Sequence, residues 1–171
     1  MRIDPRILRF LVVAAAVSLV RPAHAAEGSL AGVTIGQTFQ QVLEAIGEPH
    51  FVGPAANVPQ RTRTGTVMWL YNRKGPGIDS QLVLTLSASG QVAEIFLVGR
   101  RDVARTSTGS GLGDSYQTVL RSYGDRGQTQ TQGRYMIMRY PADKVVFTLD
   151  VEQYRVVGIS VGSMRPVAPA E

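Results

Sequence analysis

Side chains able to do acid–base or covalent chemistry are sparse. His50 follows Pro49 at a predicted helix–loop junction, and His24 is the only other histidine. A lone loop imidazole with no partner at motif spacing reads as a solvated or hydrogen-bonded side chain rather than a general base. Asp114-Ser115 sets a potential base beside a potential nucleophile, but the pair sits where a helix begins, and capping accounts for both. Asp79, Asp102, Asp125 and Asp143 lie in turn-like segments, where Asp is favoured for its local hydrogen bonds. The chain has no cysteine, which excludes disulfides, thiolate zinc and iron–sulfur ligation. His24 lies in a leader-like N-terminal stretch, and His50 with scattered carboxylates does not make a metal set, so neither metal nor organic cofactor is expected. Gly109-Ser-Gly-Leu-Gly113 precedes a helix and could cradle an anion. Residues 32–36 hold the matching position without that glycine density, so a lead-in turn is the better account.

Binding chemistry has more material. Trp69, Tyr71, Tyr135, Tyr140 and Tyr154 fall in or beside predicted strands, with Arg139 among them. Aromatic residues and arginine anchor interfaces, although alternate aromatics on a strand also fill cores. Residues 72–80 (NRKGPGIDS) read as the longest hairpin loop, with Lys74 and Asp79 as a charge pair around a Gly-Pro-Gly corner. The candidate partner contacts are therefore Trp69, Tyr71, Lys74, Asp79, Tyr135 and Arg139.

The elements that would position them follow from an internal similarity. Residues 32–47 (GVTIGQTFQQVLEAIG) align with residues 109–124 (GSGLGDSYQTVLRSYG). Identical pairs are Gly32/Gly109, Gly36/Gly113, Gln40/Gln117, Val42/Val119, Leu43/Leu120 and Gly47/Gly124. Phe39, Val42, Leu43 and Ile46 fall at i, i+3, i+4, i+7, one face of a helix, and Tyr116, Val119, Leu120 and Tyr123 repeat it. Thr38-x-x-Gln41 is a capping-box pattern, and Asp114-x-x-Gln117 offers another. Gly47 and Gly124 sit where a helix C-terminus wants a left-handed residue.

Strand-like segments follow each helix: 67–71, 81–86 and 91–98, then 135–140, 145–151 and 155–161. The expected fold class is thus α+β: two tandem repeats, each a short helix followed by a three-stranded antiparallel meander, with helices packed on one sheet face. The expected boundaries are a lead at 26–31, repeats at 32–99 and 109–162, a polar linker at 100–108 and a flexible tail at 163–171.

Residues 1–25 stand apart as a predicted signal peptide. Arg2, Arg6 and Arg9 precede the apolar run 10–20 (FLVVAAAVSLV), and Ala23-His24-Ala25 is an A-x-A cleavage pattern. Eleven residues of helix span roughly 17 Å, well short of the ~30 Å hydrocarbon core. No later stretch is long enough to span a membrane as a helix. Removing Arg2, Arg6, Arg9, Arg21 and Asp4 from 18 basic and 13 acidic residues lowers the net charge from +5 to +2. The remaining charge does not support nucleic-acid binding.

The pattern I-G-x-T/S-x-x-x-V-L-x-x-[IY]-G is met by Ile35 through Gly47 and, less closely, by Leu112 through Gly124. In this it resembles the small α/β repeat of two families, the β-lactamase inhibitor protein and the small accessory lipoprotein of the outer-membrane β-barrel assembly machine. The resemblance implies a non-catalytic protein that binds proteins. It carries over no contact residue, because the contact loops do not match. Neither the lipoprotein's N-terminal cysteine nor the inhibitor's disulfides are present.

The function expected from these observations is a non-enzymatic protein-binding module of the cell envelope, periplasmic or secreted, whose partner is an envelope protein. The alternative is an envelope carrier holding a small apolar or anionic ligand in a cavity lined by residues such as Phe39, Trp69, Phe96 and Phe147. An envelope hydrolase would need two carboxylates facing each other in one cleft. Oligomeric state is not encoded in any of these patterns.

Overall fold

The computed structural model describes residues 26–54 and 67–168. The predicted signal peptide and most of the polar stretch at 52–66 lie outside those residues. Strands β1 (Ser29–Leu30) and β2 (Val33–Thr34) form a small hairpin ahead of helix α1 (Phe39–Ile46). Strands β3 (Phe51–Pro54), β4 (Val67–Gly75), β5 (Ile78–Leu86) and β6 (Val92–Arg101) follow. Helix α2 (Tyr116–Tyr123) then leads into β7 (Gln128–Gln132), β8 (Tyr135–Tyr140), β9 (Val145–Asp150) and β10 (Arg155–Val161).

The expectation of an α+β chain made of two helix-plus-three-stranded repeats is overturned. The fold is mostly β: one antiparallel eight-stranded sheet in the order β3-β4-β5-β6-β10-β9-β8-β7, a two-stranded sheet and two helices. Two causes account for the difference. First, β6 and β10 pair directly, from Gly158 against Val98 to Val161 against Ile95, so no boundary separates two meanders. Second, each outer edge carries a strand without a sustained alternation of apolar residues. β7 is Gln-Thr-Gln-Thr-Gln, exposed throughout, and β3 is short and ends in Gly53-Pro54. The stretch read as a loop at 72–80 is also strand at both ends. β4 runs through Gly75, β5 starts at Ile78, and Lys74 pairs with Asp79 in register.

Both helices lie on one sheet face. Val42 and Val119 are fully buried in a core that includes Trp69, Leu84, Leu97, Phe147 and Ile159. α1 begins with a full capping box, in which the Thr38 hydroxyl accepts the Gln41 N–H and the Gln41 side chain accepts the Thr38 N–H. α2 is capped one residue later than expected, by Ser115 accepting the Thr118 N–H at 3.2 Å. Asp114 instead accepts the Gly111 N–H at 2.8 Å and pairs with Arg105. Each helix ends on a glycine with positive φ, and a strand tyrosine reaches up to it. Tyr71 donates to the Gly47 carbonyl and Tyr140 to the Gly124 carbonyl, both at 3.1 Å.

The opposite face is covered over its centre. Phe96, Val98, Ile137 and Val146 are buried yet belong to no part of the helix-side core. Residues 163–168 supply the cover. The Arg165 guanidinium stacks 5.6 Å over the Phe96 ring, and Pro166 to Ala168 lie beside Ile137 and Thr148. β9 is consequently buried on both faces. A Cβ at Gly158 would overlap the Val167 carbonyl, so this crossing needs a glycine beneath it. Gly158→Ala is expected to lift the tail and cost about 1–3 kcal/mol. Hydrogen exchange should then rise over 163–168 ahead of the helix-side core; unchanged tail protection would show that the clash is absorbed elsewhere.

Candidate functional site

The tight turn Gly75-Pro76-Gly77-Ile78 brings the ends of β4 and β5 together, and Lys74 and Asp79 form a cross-strand ion pair there. The bond from Lys74 holds the Asp79 carboxyl below the usual carboxylate range. Behind this hairpin, on the helix side, Asp102 fixes the sheet end. Its carboxylate accepts Arg73 Nε at 2.8 Å, Arg73 Nη2 at 3.0 Å and the Ala104 N–H at 2.8 Å, and takes a further bond from the Ser80 hydroxyl. Arg100 follows Gly99 near the end of β6. It makes no ion pair among the described residues, although its charge is felt at Asp79.

The other half of the sheet contributes a second pair at the same end. Arg134 bonds Asp150 at 2.7 Å and lies 5.5 Å over the ring of Tyr135. Asp150 also accepts the Glu152 N–H at 2.9 Å and the Gln153 N–H at 3.2 Å, closing the turn into β10. The Arg134 bond, aided by these amides, holds the Asp150 carboxyl below its ordinary range. Arg155 begins β10 and donates from Nη1 to the Gly113 carbonyl at 3.0 Å.

Lys74, Asp79, Arg100, Arg134, Tyr135, Asp150 and Arg155 line one open cleft of about 820 Å³. Its walls come from β4, β5, β6, β8, β9 and β10. Neighbouring strands lie ~4.8 Å apart, so residues six strands across can share one space only on the hollow side of a curved sheet. The lining holds the cations Lys74, Arg100, Arg134 and Arg155 against the carboxylates Asp79 and Asp150. Both carboxylates are tied to cations on their own side, which suits recognition and leaves no free acid–base pair.

Of the six candidate contacts, Lys74, Asp79 and Tyr135 come together in this cleft. Trp69 and Tyr71 do not: both are buried on the helix side, Trp69 in edge contact with Phe39 at 6.5 Å between centroids. Arg139 pairs across the sheet with Gln128 and Val146, and its side chain bonds the Met164 carbonyl and Gln130, both at 3.4 Å, outside the cleft. Arg100, Arg134, Asp150 and Arg155 were not among the candidates. Each sits at or beside a strand end, so only the strand order shows that they share one end of the sheet.

The remaining chemistry-bearing residues have structural roles. His50 is exposed, and its Nδ1 accepts the Asn72 N–H at 3.3 Å. Residues 109–113 pack against 104–106, with Thr106 N–H bonded to the Ser110 carbonyl at 2.8 Å. Phe39, Trp69, Phe96 and Phe147 do not line a common cavity. Trp69 and Phe147 are core residues, Phe39 is 44% exposed, and Phe96 is on the tail-covered face. Among the described residues no three His, Cys, Asp or Glu side chains converge as metal ligands. Nor is any helix among them long and apolar enough to cross a membrane.

No family model matches the chain, and no curated protein matches it. Two solved structures are similar. One is an extracellular protein containing a SCP domain from Bacillus anthracis, 14% identical, with a TM-score of 0.50 over 75% of this chain and 44% of that one. The other is a DUF4309 family protein from Bacillus subtilis, 17% identical, with a TM-score of 0.45 over 78% and 83% of the two chains. The chain thus spans less than half the length of the Bacillus anthracis protein. At this identity, what is shared with it is the fold alone.

Proposed function

We propose that the chain is an exported, non-enzymatic protein-binding module of the cell envelope, with the hollow end of the sheet as its contact surface. The observation that carries this reading is the cleft itself. Strand ends from both halves of the sheet place arginines, a lysine and a tyrosine in one open space, the residue types that anchor interfaces. Export rests on the leader pattern of residues 1–25, and the Bacillus anthracis protein of similar fold is itself described as extracellular.

The reading is tested by crosslinked capture from native envelope with tagged residues 26–171. A specific envelope protein should be retained by the unaltered chain and lost on combining Lys74→Ala with Tyr135→Ala. Phe51→Ala, on the outermost strand and away from the cleft, should retain it. Capture of no protein by the folded chain overturns the reading.

A further inference from the structure

The cleft has a chemistry that selects its occupant. Of its four cations, Lys74 and Arg134 are already neutralised by Asp79 and Asp150. Arg100 has no ion pair among the described residues, and Arg155 spends one nitrogen on the Gly113 carbonyl. These two arginines come from β6 and β10, beyond the point where the pairing of those strands ends at Val98 and Gly158, and the segment at Gly113 and Asp114 bonds β10 there instead. The unneutralised charge therefore lies where β6 and β10 part, with an ion pair on either side of it. A guanidinium fork matches a carboxylate better than any neutral group.

The same sheet face shows what shape it accepts. Residues 163–168, which have no helix or strand structure, already lie along it, with the Val167 backbone against Gly158. Tyr135 lines both the groove beside Pro166 to Ala168 and the cleft, so the two beds are continuous. An extended chain carries alternate side chains on one side, ~6.7 Å apart, a spacing that long arginine side chains on neighbouring strands can bridge.

Resting on the protein-binding reading, we infer that the cleft receives an extended acidic segment of the partner, with carboxylates at alternate positions meeting Arg100 and Arg155. Lys74–Asp79 and Arg134–Asp150 flank the segment, and Tyr135 packs against its backbone.

The test uses residues 26–171 and a fluorescent N-acetylated peptide, (Ser-Glu)4 amide, followed by anisotropy at low and moderate salt. Saturable binding that weakens with salt is expected, with no binding of the (Ser-Gln)4 analogue. Arg100→Glu should weaken binding roughly tenfold or more. Arg100 is exposed and makes no ion pair among the described residues, so this variant should keep the parent's melting temperature. Arg155→Lys, which keeps a donor for Gly113, should weaken binding less. Arg139→Glu, outside the cleft, should leave it unchanged.

Equal binding of the Gln analogue, or an unaffected Arg100→Glu variant, overturns the inference. So does absence of peptide binding, or preferential binding of oligogalacturonate or anionic phosphatidylglycerol vesicles over the peptide. If envelope capture succeeds while the peptide fails, the acidic-segment inference falls and the protein-binding reading stands. If capture also fails, both fall.

Discussion

Asp102→Ala is expected to cost about 3–5 kcal/mol of folding stability, because it strands a cation at a sealed sheet end. Asp102 is 4% exposed, and it answers both nitrogens of the Arg73 fork, the Ala104 N–H and the Ser80 hydroxyl. Removing it leaves those donors without their acceptor, and the Arg73 side chain is itself only 23% exposed. Urea titration at pH 7 checks the size of the loss, and a midpoint shift equivalent to under about 1 kcal/mol contradicts it.

The same carboxylate makes stability depend on acid. Burial alone would raise the Asp102 pKa, but the bonds from Arg73, Ser80 and Ala104 outweigh it and hold the group below the usual carboxylate range. A group depressed in the folded state contributes fully above its unfolded pKa of ~3.9 and loses that contribution as pH falls through the folded value. The stability gap between the parent chain and Asp102→Asn should therefore be widest near neutrality and close in strong acid. A gap that widens on acidification would show the opposite sign.

Tyr140→Ala is expected to cost a similar 3–5 kcal/mol by a different route. The Tyr140 ring is 1% exposed and lies 5.0 Å from Tyr123 and 6.2 Å from Phe147 between centroids. Tyr123 belongs to α2 and Phe147 to β9, so this cluster pins the second helix to the sheet. Burial pushes the Tyr140 hydroxyl up to about 12, which keeps it a neutral donor to the Gly124 carbonyl across the working pH range. Tyr140→Phe keeps the packing and removes only that bond, at a cost of about 1 kcal/mol. Calorimetry should show a small drop in Tm for Phe and a several-fold larger one for Ala. Equal effects would mean that the hydroxyl, not the ring, holds α2 in place.

The helices were legible because their information is local. The spacing of Phe39, Val42, Leu43 and Ile46 needs no knowledge of the rest of the chain, and Val42 is fully buried as that spacing requires. Sheet assembly was less legible because strand pairing is not local. The Gln-Thr repeat of β7 has no apolar alternation, and it pairs because Tyr135–Tyr140 folds back beside it. Nothing in the residues of β6 or β10 announces their union at the centre. The site divides the same way. Trp69 and Tyr71 stand two residues apart on one strand and so share a face, but which face the helices cover is a tertiary fact, and they are core. Lys74 and Asp79 were legible as a charge pair, since a tight turn joins them. Arg100, Arg134 and Arg155 become neighbours of that pair only through the strand order.

That strand order also imposes a timetable. The strand at the heart of the sheet, β10, is the last strand of the described chain to be synthesised, while its neighbours β6 and β9 are made earlier. Until it arrives, both neighbours present bare edges whose backbone groups invite pairing with another chain. A chain that folds from its N-terminus therefore keeps its central seam open until β10 is in place, and a chain cut before residue 155 lacks the strand that joins the two half-sheets. Arrival of the final strand closes the seam, and the segment behind it then seals the outer face.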